Sequence, residues 1–271
     1  VLGNHELNLL RASRKEGNGW YFDDDHDRQE GKFTTSRQAG PASRPWIDAF
    51  IANLPVALHN PSLRVVHACW HDAAIQRIAS SGEWGAAALY DAFERESANA
   101  LQRDGILVAA KEEERQYHDT LRNPNGVQPF LPASARKDEA KQMANPIRIL
   151  TSGVERQTTT PFFSSGKWRM VERVAWWNEY RDETPVVIGH YWRWPVPVDR
   201  QAFGKAGPDL FACTTVEQGL GPHSNVHCID YSVGRRFQER LQGGVFQTRL
   251  AALRWPERCL AFDDGSSIRI P

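Results

Sequence analysis

Apolar residues fall in short runs between polar stretches, and their spacing predicts a mixed architecture. Val1-Leu2 reads as the end of a buried strand, followed after a Gly-Asn turn by a helix over 6–15. Residues 16–45 are polar and punctuated by Gly17, Gly19, Gly31, Gly40, Pro41 and Pro45, which predicts a long surface excursion. A short amphipathic helix is expected over 46–53, then a hairpin of strands 56–59 and 63–68 turning at Asn60-Pro61-Ser62. Ala88, Leu89, Ala92, Phe93, Ala100 and Leu101 recur at helical spacing, predicting a helix over 84–103. A second helix is expected over 109–122, an irregular proline-rich loop over 123–146, and an aromatic-rich helix over 168–180. Val186-Val187-Ile188 reads as a buried strand, and the last third as strand-rich, with strands over 226–231, 246–255 and 258–262. The order implies one α/β domain spanning 1–271, with a mostly helical insertion at about 84–180.

Composition narrows the class. Hydrophobic residues make up 41% of the 271, with 10 Trp and 12 Phe, as in a globular chain with a sizeable core. Thirty-three Lys and Arg balance thirty-three Asp and Glu, so no extended nucleic-acid surface or acidic-membrane surface is expected. Cys69, Cys213, Cys228 and Cys259 form no C-x-x-C pair, which points to a reduced, cytoplasmic protein without a disulfide framework. No apolar run approaches the roughly 20 residues of a membrane span.

Three segments share one design, a buried strand ending in a side chain able to ligate a metal: Val1-Leu2-Gly3-Asn4-His5-Glu6, Val65-Val66-His67-Ala68 and Val186-Val187-Ile188-Gly189-His190. A strand end holds a side chain at the rim of a sheet, and an adjacent small residue admits close approach. Imidazole and amide oxygen suit Mn, Fe or Zn. Each segment also has a plainer reading. A histidine at a strand end can be a satisfied core residue, and Asn4 can simply cap a helix beginning near Glu6.

With all three in this order, the chain resembles the calcineurin-like metallophosphoesterases, in the branch shared by phosphoprotein phosphatases and symmetrical diadenosine-tetraphosphate hydrolases. Gly3-Asn4-His5-Glu6, Val66-His67-Ala68 and Gly189-His190 match the last three of that branch's five motifs. Val1-Leu2-Gly3-Asn4-His5 with Leu9-Leu10, Cys228-Ile229-Asp230, and Leu250-Ala251-Ala252-Leu253-Arg254-Trp255 look more like the dinucleotide hydrolases. Phosphoprotein phosphatases usually carry Arg at the position of Leu2, and the hydrolases mostly carry Asp at that of Glu6.

The resemblance implies a layered β-sandwich flanked by helices and a cofactor of two divalent ions, with Asn4, His67 and His190 as ligands of the second. It implies that His5 is the general acid protonating the leaving oxygen, and that the activity is hydrolysis of a phosphoester or phosphoanhydride. A dinucleoside polyphosphate or related small phosphorylated molecule is the first substrate choice. A serine/threonine phosphatase, or a non-catalytic binding protein with a half-lost site, are the alternatives.

The family's G-D-x-H-G and G-D-x-x-D-R-G motifs do not occur in 1–271. They would supply the first-metal ligands, the bridging Asp and the partner of His5. The expectation is therefore an N-terminally incomplete domain, nearly inactive as it stands. Asp24-Asp25-His26-Asp27 has a D-x-H spacing but no flanking glycines, and reads as a solvated acidic loop. Trp176-Trp177 and the Tyr191-Trp192-Arg193-Trp194 run either stack a base and hold a phosphate through Arg193, or fill the core. The charged stretch 111–115 is expected to be a solvated helix face.

Overall fold

The computed structural model describes residues 1–22, 32–33, 36–82, 85–200, 207–212, 214–243 and 245–270. The chain opens with α1 (Asn4–Leu10), the four-residue α2 (Gly19–Phe22) and α3 (Arg44–Ala52). A hairpin of β1 (Ala57–Asn60) and β2 (Leu63–Val66) follows, its turn held by the Asn60 side-chain oxygen accepting from the Ser62 and Leu63 amides. Five helices come next: α4 (Asp72–Ala79), α5 (Ala86–Arg103), α6 (Ile106–Gln116), α7 (Pro132–Met143) and α8 (Pro146–Ser152). A second hairpin, β3 (Glu155–Ser164) and β4 (Lys167–Arg173), leads through a 3-10 turn (Trp176–Glu179) to β5 (Val186–Ile188) and β6 (Val226–Cys228). The chain ends in α9 (Arg236–Gln242) and three antiparallel strands, β7 (Ala251–Arg254), β8 (Cys259–Phe262) and β9 (Ser267–Arg269).

The central sheet runs β1-β2-β5-β6, with β2, β5 and β6 parallel. Parallel strands are covered on both faces, which is why β5 reads as an unbroken apolar run and every residue of β6 is buried. Val66, Val186, Ile188, Val226 and Cys228 pack there with Ile149, Leu150, Trp176, Trp177 and Tyr180. Each fully buried Val, Leu or Ile contributes about 1.5–3 kcal/mol. A second cluster joins α1 to the helices through Leu2, Leu7, Leu9, Tyr21, Ile51, Leu89, Phe93 and Ile147.

The mixed α/β class matches expectation, but several elements differ. Residues 123–146 are not all loop. Pro132 and Pro146 stand in the first turns of α7 and α8, where a missing N–H costs nothing, so these prolines start helices rather than break them. The expected helix over 168–180 is β4 plus the 3-10 turn, so the stretch 84–180 is not all helical. Its pattern has period two: Trp168 and Met170 join a cluster with Leu131 and Ala135, while Arg169 and Val171 point the other way. Val1-Leu2 belongs to no sheet and is anchored by one bond, Leu2 N–H to the Pro55 carbonyl at 2.8 Å. The first helix ends at Leu10, and the 16–45 excursion is partly inside, with Asn18, Tyr21 and Ala39 buried. The strands over 226–231 and 246–255 are shorter than expected, and β9 was not anticipated. Within 111–115, Glu113 is not simply solvated: its carboxylate accepts from the Ala133 and Ser134 amides and so caps α7. No helix is long and apolar enough to cross a membrane among the described residues.

Asn145, fully buried, ties α8 to α5. Its oxygen accepts from the Ile147 and Arg148 amides, and its nitrogen donates to the Tyr90 carbonyl. Asn145→Ala removes a cap and the bond that ties α8 to α5, so it should cost about 2 kcal/mol in denaturant unfolding. A loss under about 0.5 kcal/mol would show the bonds are replaceable.

His227 on β6 is held near pKa 4, chiefly by burial and then by Arg258 and Arg193. The unfolded state binds the proton first as pH falls, so stability is intact above about 6.5 and drains away towards pH 4. His227→Gln should flatten the stability–pH profile in that window by up to about 1.4 kcal/mol per pH unit. An unchanged slope would show that the ring is protonated in the fold.

Candidate functional site

The parallel pairing of β2 with β5 brings two strand ends to one rim. His67 directly follows β2, and His190 lies two residues beyond β5. The Gly189 N–H donates to the His67 carbonyl at 2.9 Å, which keeps the two ends level. His190 has a positive φ of 67°, an uncommon conformation for a non-glycine residue that turns its ring off the strand direction. α1 supplies the third member. It begins at Asn4 with Gly3 as N-cap, and no side chain caps it. The capping role considered for Asn4 therefore does not hold, and its side chain turns towards the histidines instead.

Asn4 Oδ1 lies 3.0 Å from His67 Nε2 and 3.3 Å from His190 Nδ1, and the two rings meet edge to face at 5.3 Å. Three polar atoms from segments 63 and 123 residues apart thus come together, the Asn4 oxygen within reach of both rings. Two donors each about 2.1 Å from a common ion, at about 90–110° to one another, would lie about 3.0–3.4 Å apart. The same separations also satisfy two imidazole N–H groups donating to the amide oxygen. Burial lowers the His67 pKa to about 4, with Glu6 opposing the shift, and burial followed by Arg173 pushes His190 well below its usual value. Both rings are therefore neutral near pH 7, the form that ligates metals.

His5, next to Asn4 on α1, is exposed. Its Nδ1 is 2.8 Å from Asn18 Oδ1, while Asn18 Nδ2 donates to the His5 carbonyl at 3.0 Å. Asn18 is buried, and it fixes the imidazole with Nδ1 occupied. Sequence reading missed Asn18; its placement between Gly17 and Gly19 was the available signal. Gly17, at φ 88°, leaves room for His5: a Cβ there would stand 2.8 Å from the ring's Cε1.

A cavity of about 960 Å³ opens over the cluster, lined by Asn4, His5, His67 and His190 together with Asp230 and the β3–β4 hairpin. Asp230 sits two residues past β6, as His190 does past β5, and burial raises its pKa. Its carboxylate accepts from the Ser232 amide at 3.0 Å and the Trp192 amide at 3.4 Å, bracing the loop that carries His190. Arg193 is not a phosphate ligand. It is buried, and its guanidinium is committed to the Thr215 and Gln218 carbonyls. Trp176 and Trp177 are core residues. Asp24 and His26 lie outside the described residues. Among the described residues, no group of three or more His, Cys, Asp and Glu side chains is placed to hold a metal, the present cluster having two such side chains and an amide.

No family model matches the chain, and no curated protein or solved structure matches it significantly.

Gly3 is required by the cluster itself. A Cβ there would lie 2.8 and 2.9 Å from His67 ring atoms and 2.5 Å from Glu6 Oε2. Gly3→Ala should displace the His67 ring and cost about 1–3 kcal/mol. Unchanged stability together with unshifted His67 ring resonances would show that the contact relaxes freely.

Proposed function

We propose that this chain is a metal-dependent hydrolase of phosphoester or phosphoanhydride bonds, carrying the second-metal half of a calcineurin-like metallophosphoesterase site. The observation that carries the reading is the convergence of Asn4 Oδ1, His67 Nε2 and His190 Nδ1 at the rim of the parallel strands. Those three atoms would hold one divalent ion: Mn, Fe or Zn suits a donor set of two imidazoles and an amide oxygen. Bound ions would supply Lewis-acid charge to the phosphoryl oxygens. His5, oriented by Asn18, would deliver a proton from Nε2 to the leaving oxygen.

The trio is neutral. Two dications held close together need a bridging anion, so further carboxylate ligands, of the kind the D-x-H and G-D-x-x-D-R-G motifs provide, belong to this reading. The fold would then be the family's layered β-sandwich. A cavity of about 960 Å³ is of a size to take a nucleotide-sized ligand, which favours a dinucleoside polyphosphate or related nucleotide over a phosphoprotein. The absence of a carboxylate from the trio favours the second reading, a non-catalytic protein that binds one ion or a phosphorylated ligand.

Mn or Zn titration should raise Tm in the wild type, by about 2.7 kcal/mol of stability at a hundredfold excess over Kd. Asn4→Ala, His67→Ala and His190→Ala should each abolish the rise, and His5→Ala should preserve it. Residues 1–271 should hydrolyse p-nitrophenyl phosphate and diadenosine tetraphosphate only weakly. When first-metal carboxylates are supplied upstream, His5→Ala should lower turnover by roughly 10²–10⁴-fold with metal content intact. Loss of metal from His5→Ala equal to that from His67→Ala would contradict the roles. So would metal stabilisation surviving His67→Ala.

A further inference from the structure

The β3–β4 hairpin lies outside the three strand-end segments, yet one of its faces forms a wall of the cavity. Residues 169, 171 and 173 alternate towards the cavity, while Met170 packs on α7. Arg173 is close enough to His190 and Asp230 to shift both. Its guanidinium makes no hydrogen bond or ion pair among the described residues, and its nearest ring contact is Tyr191 at 5.9 Å. Arg169 is half-buried, and among the described residues its side chain bonds only to the Ser164 carbonyl, at 3.1 Å through Nε. Several other arginines are committed to carboxylates, as Arg64 is to Asp182, Arg148 to Glu94 and Arg156 to Glu172. Glu155, opposite Arg173 in the strand register, forms no ion pair within 4 Å among the described residues. Burial raises its carboxyl pKa, and its charge acts on both Arg173 and Arg169 from across the hairpin. Both guanidinium groups line the cavity, Arg169 half-buried and Arg173 exposed, and neither is in an ion pair within 4 Å among the described residues, so both are placed to grip an anionic ligand in bidentate fashion.

We propose that Arg173 and Arg169 form a track for a linear oligophosphate chain, leading from the Asn4–His67–His190 cluster along β4. Four residues of strand span about 13 Å, longer than one phosphoryl group, so the pair selects ligands carrying several linked phosphates. The substrate class is then a polyphosphate-containing molecule rather than a simple monoester. This deepens the hydrolase reading and rests on it for the direction of the chain.

Calorimetric titration with inorganic tripolyphosphate and with orthophosphate, in EDTA, separates the two claims because it needs neither metal nor turnover. Wild type should prefer tripolyphosphate, and Arg169→Gln and Arg173→Gln should each reduce that preference roughly tenfold or more. Arg169→Lys should recover part of it, with circular dichroism and Tm unchanged in all three variants. A preference unaltered by both Gln substitutions overturns the track, as does equal affinity of the wild type for the two anions. Tripolyphosphate binding that depends on the arginines, in a protein that does not bind Mn, would uphold the track and sink the hydrolase reading.

Discussion

The structure depends above all on the parallel registration of β2 with β5. Arg64 pairs with Val186 and Val65 with Val187, and one further bond, from Gly189 N–H to the His67 carbonyl, carries the alignment past the strand ends. Because the strands run the same way, whatever follows each of them emerges at the same rim, where ligands of open α/β sheets are usually bound. β6 extends the pattern by setting Asp230 beyond its own end. The apolar burial of Val66, Val186, Ile188 and Val226 thus does positional work at the cluster, since a one-residue slip would turn each following side chain to the opposite face.

Around that rim the chain accepts local cost. His190 and Trp192 both take positive φ values, and the His67 and His190 rings are largely withdrawn from water. Asp230 steadies this loop by accepting backbone amides on either side of it. Gly3 and Gly17 keep Cβ atoms away from the two imidazoles nearest α1. Asn18 plays for His5 the part that the resemblance gave to an aspartate. An amide orients the ring without adding the charge of a carboxylate.

The candidate cluster was legible in the sequence because each member follows a short apolar run beside a glycine or alanine, a pattern that requires no knowledge of distant contacts. β1, β2, β5 and α5 were legible for the same reason, their periodicity being local and strong. The hairpin of β3 and β4 was hidden. Trp168, Met170, Trp176 and Trp177 suggested a helix, and what makes 167–173 a strand is its pairing with 155–164, a tertiary fact. The helices opening at Pro132 and Pro146 were hidden because proline both ends and begins helices, and the caps that decide between the two, Glu113 for one and Asn145 for the other, are remote in sequence or ambiguous in type. Asn18 and Arg173 escaped notice because their significance lies entirely in what they face.

The central claim is that Asn4, His67 and His190 form one ion site. Anomalous diffraction from crystals grown with Mn, recorded on both sides of the Mn edge, tests it without recourse to activity. The account predicts a single peak within about 2.0–2.3 Å of Asn4 Oδ1, His67 Nε2 and His190 Nδ1 together. A protein that crystallises at saturating Mn with no peak there, and with the two imidazoles still hydrogen-bonded to the Asn4 amide oxygen, would contradict it.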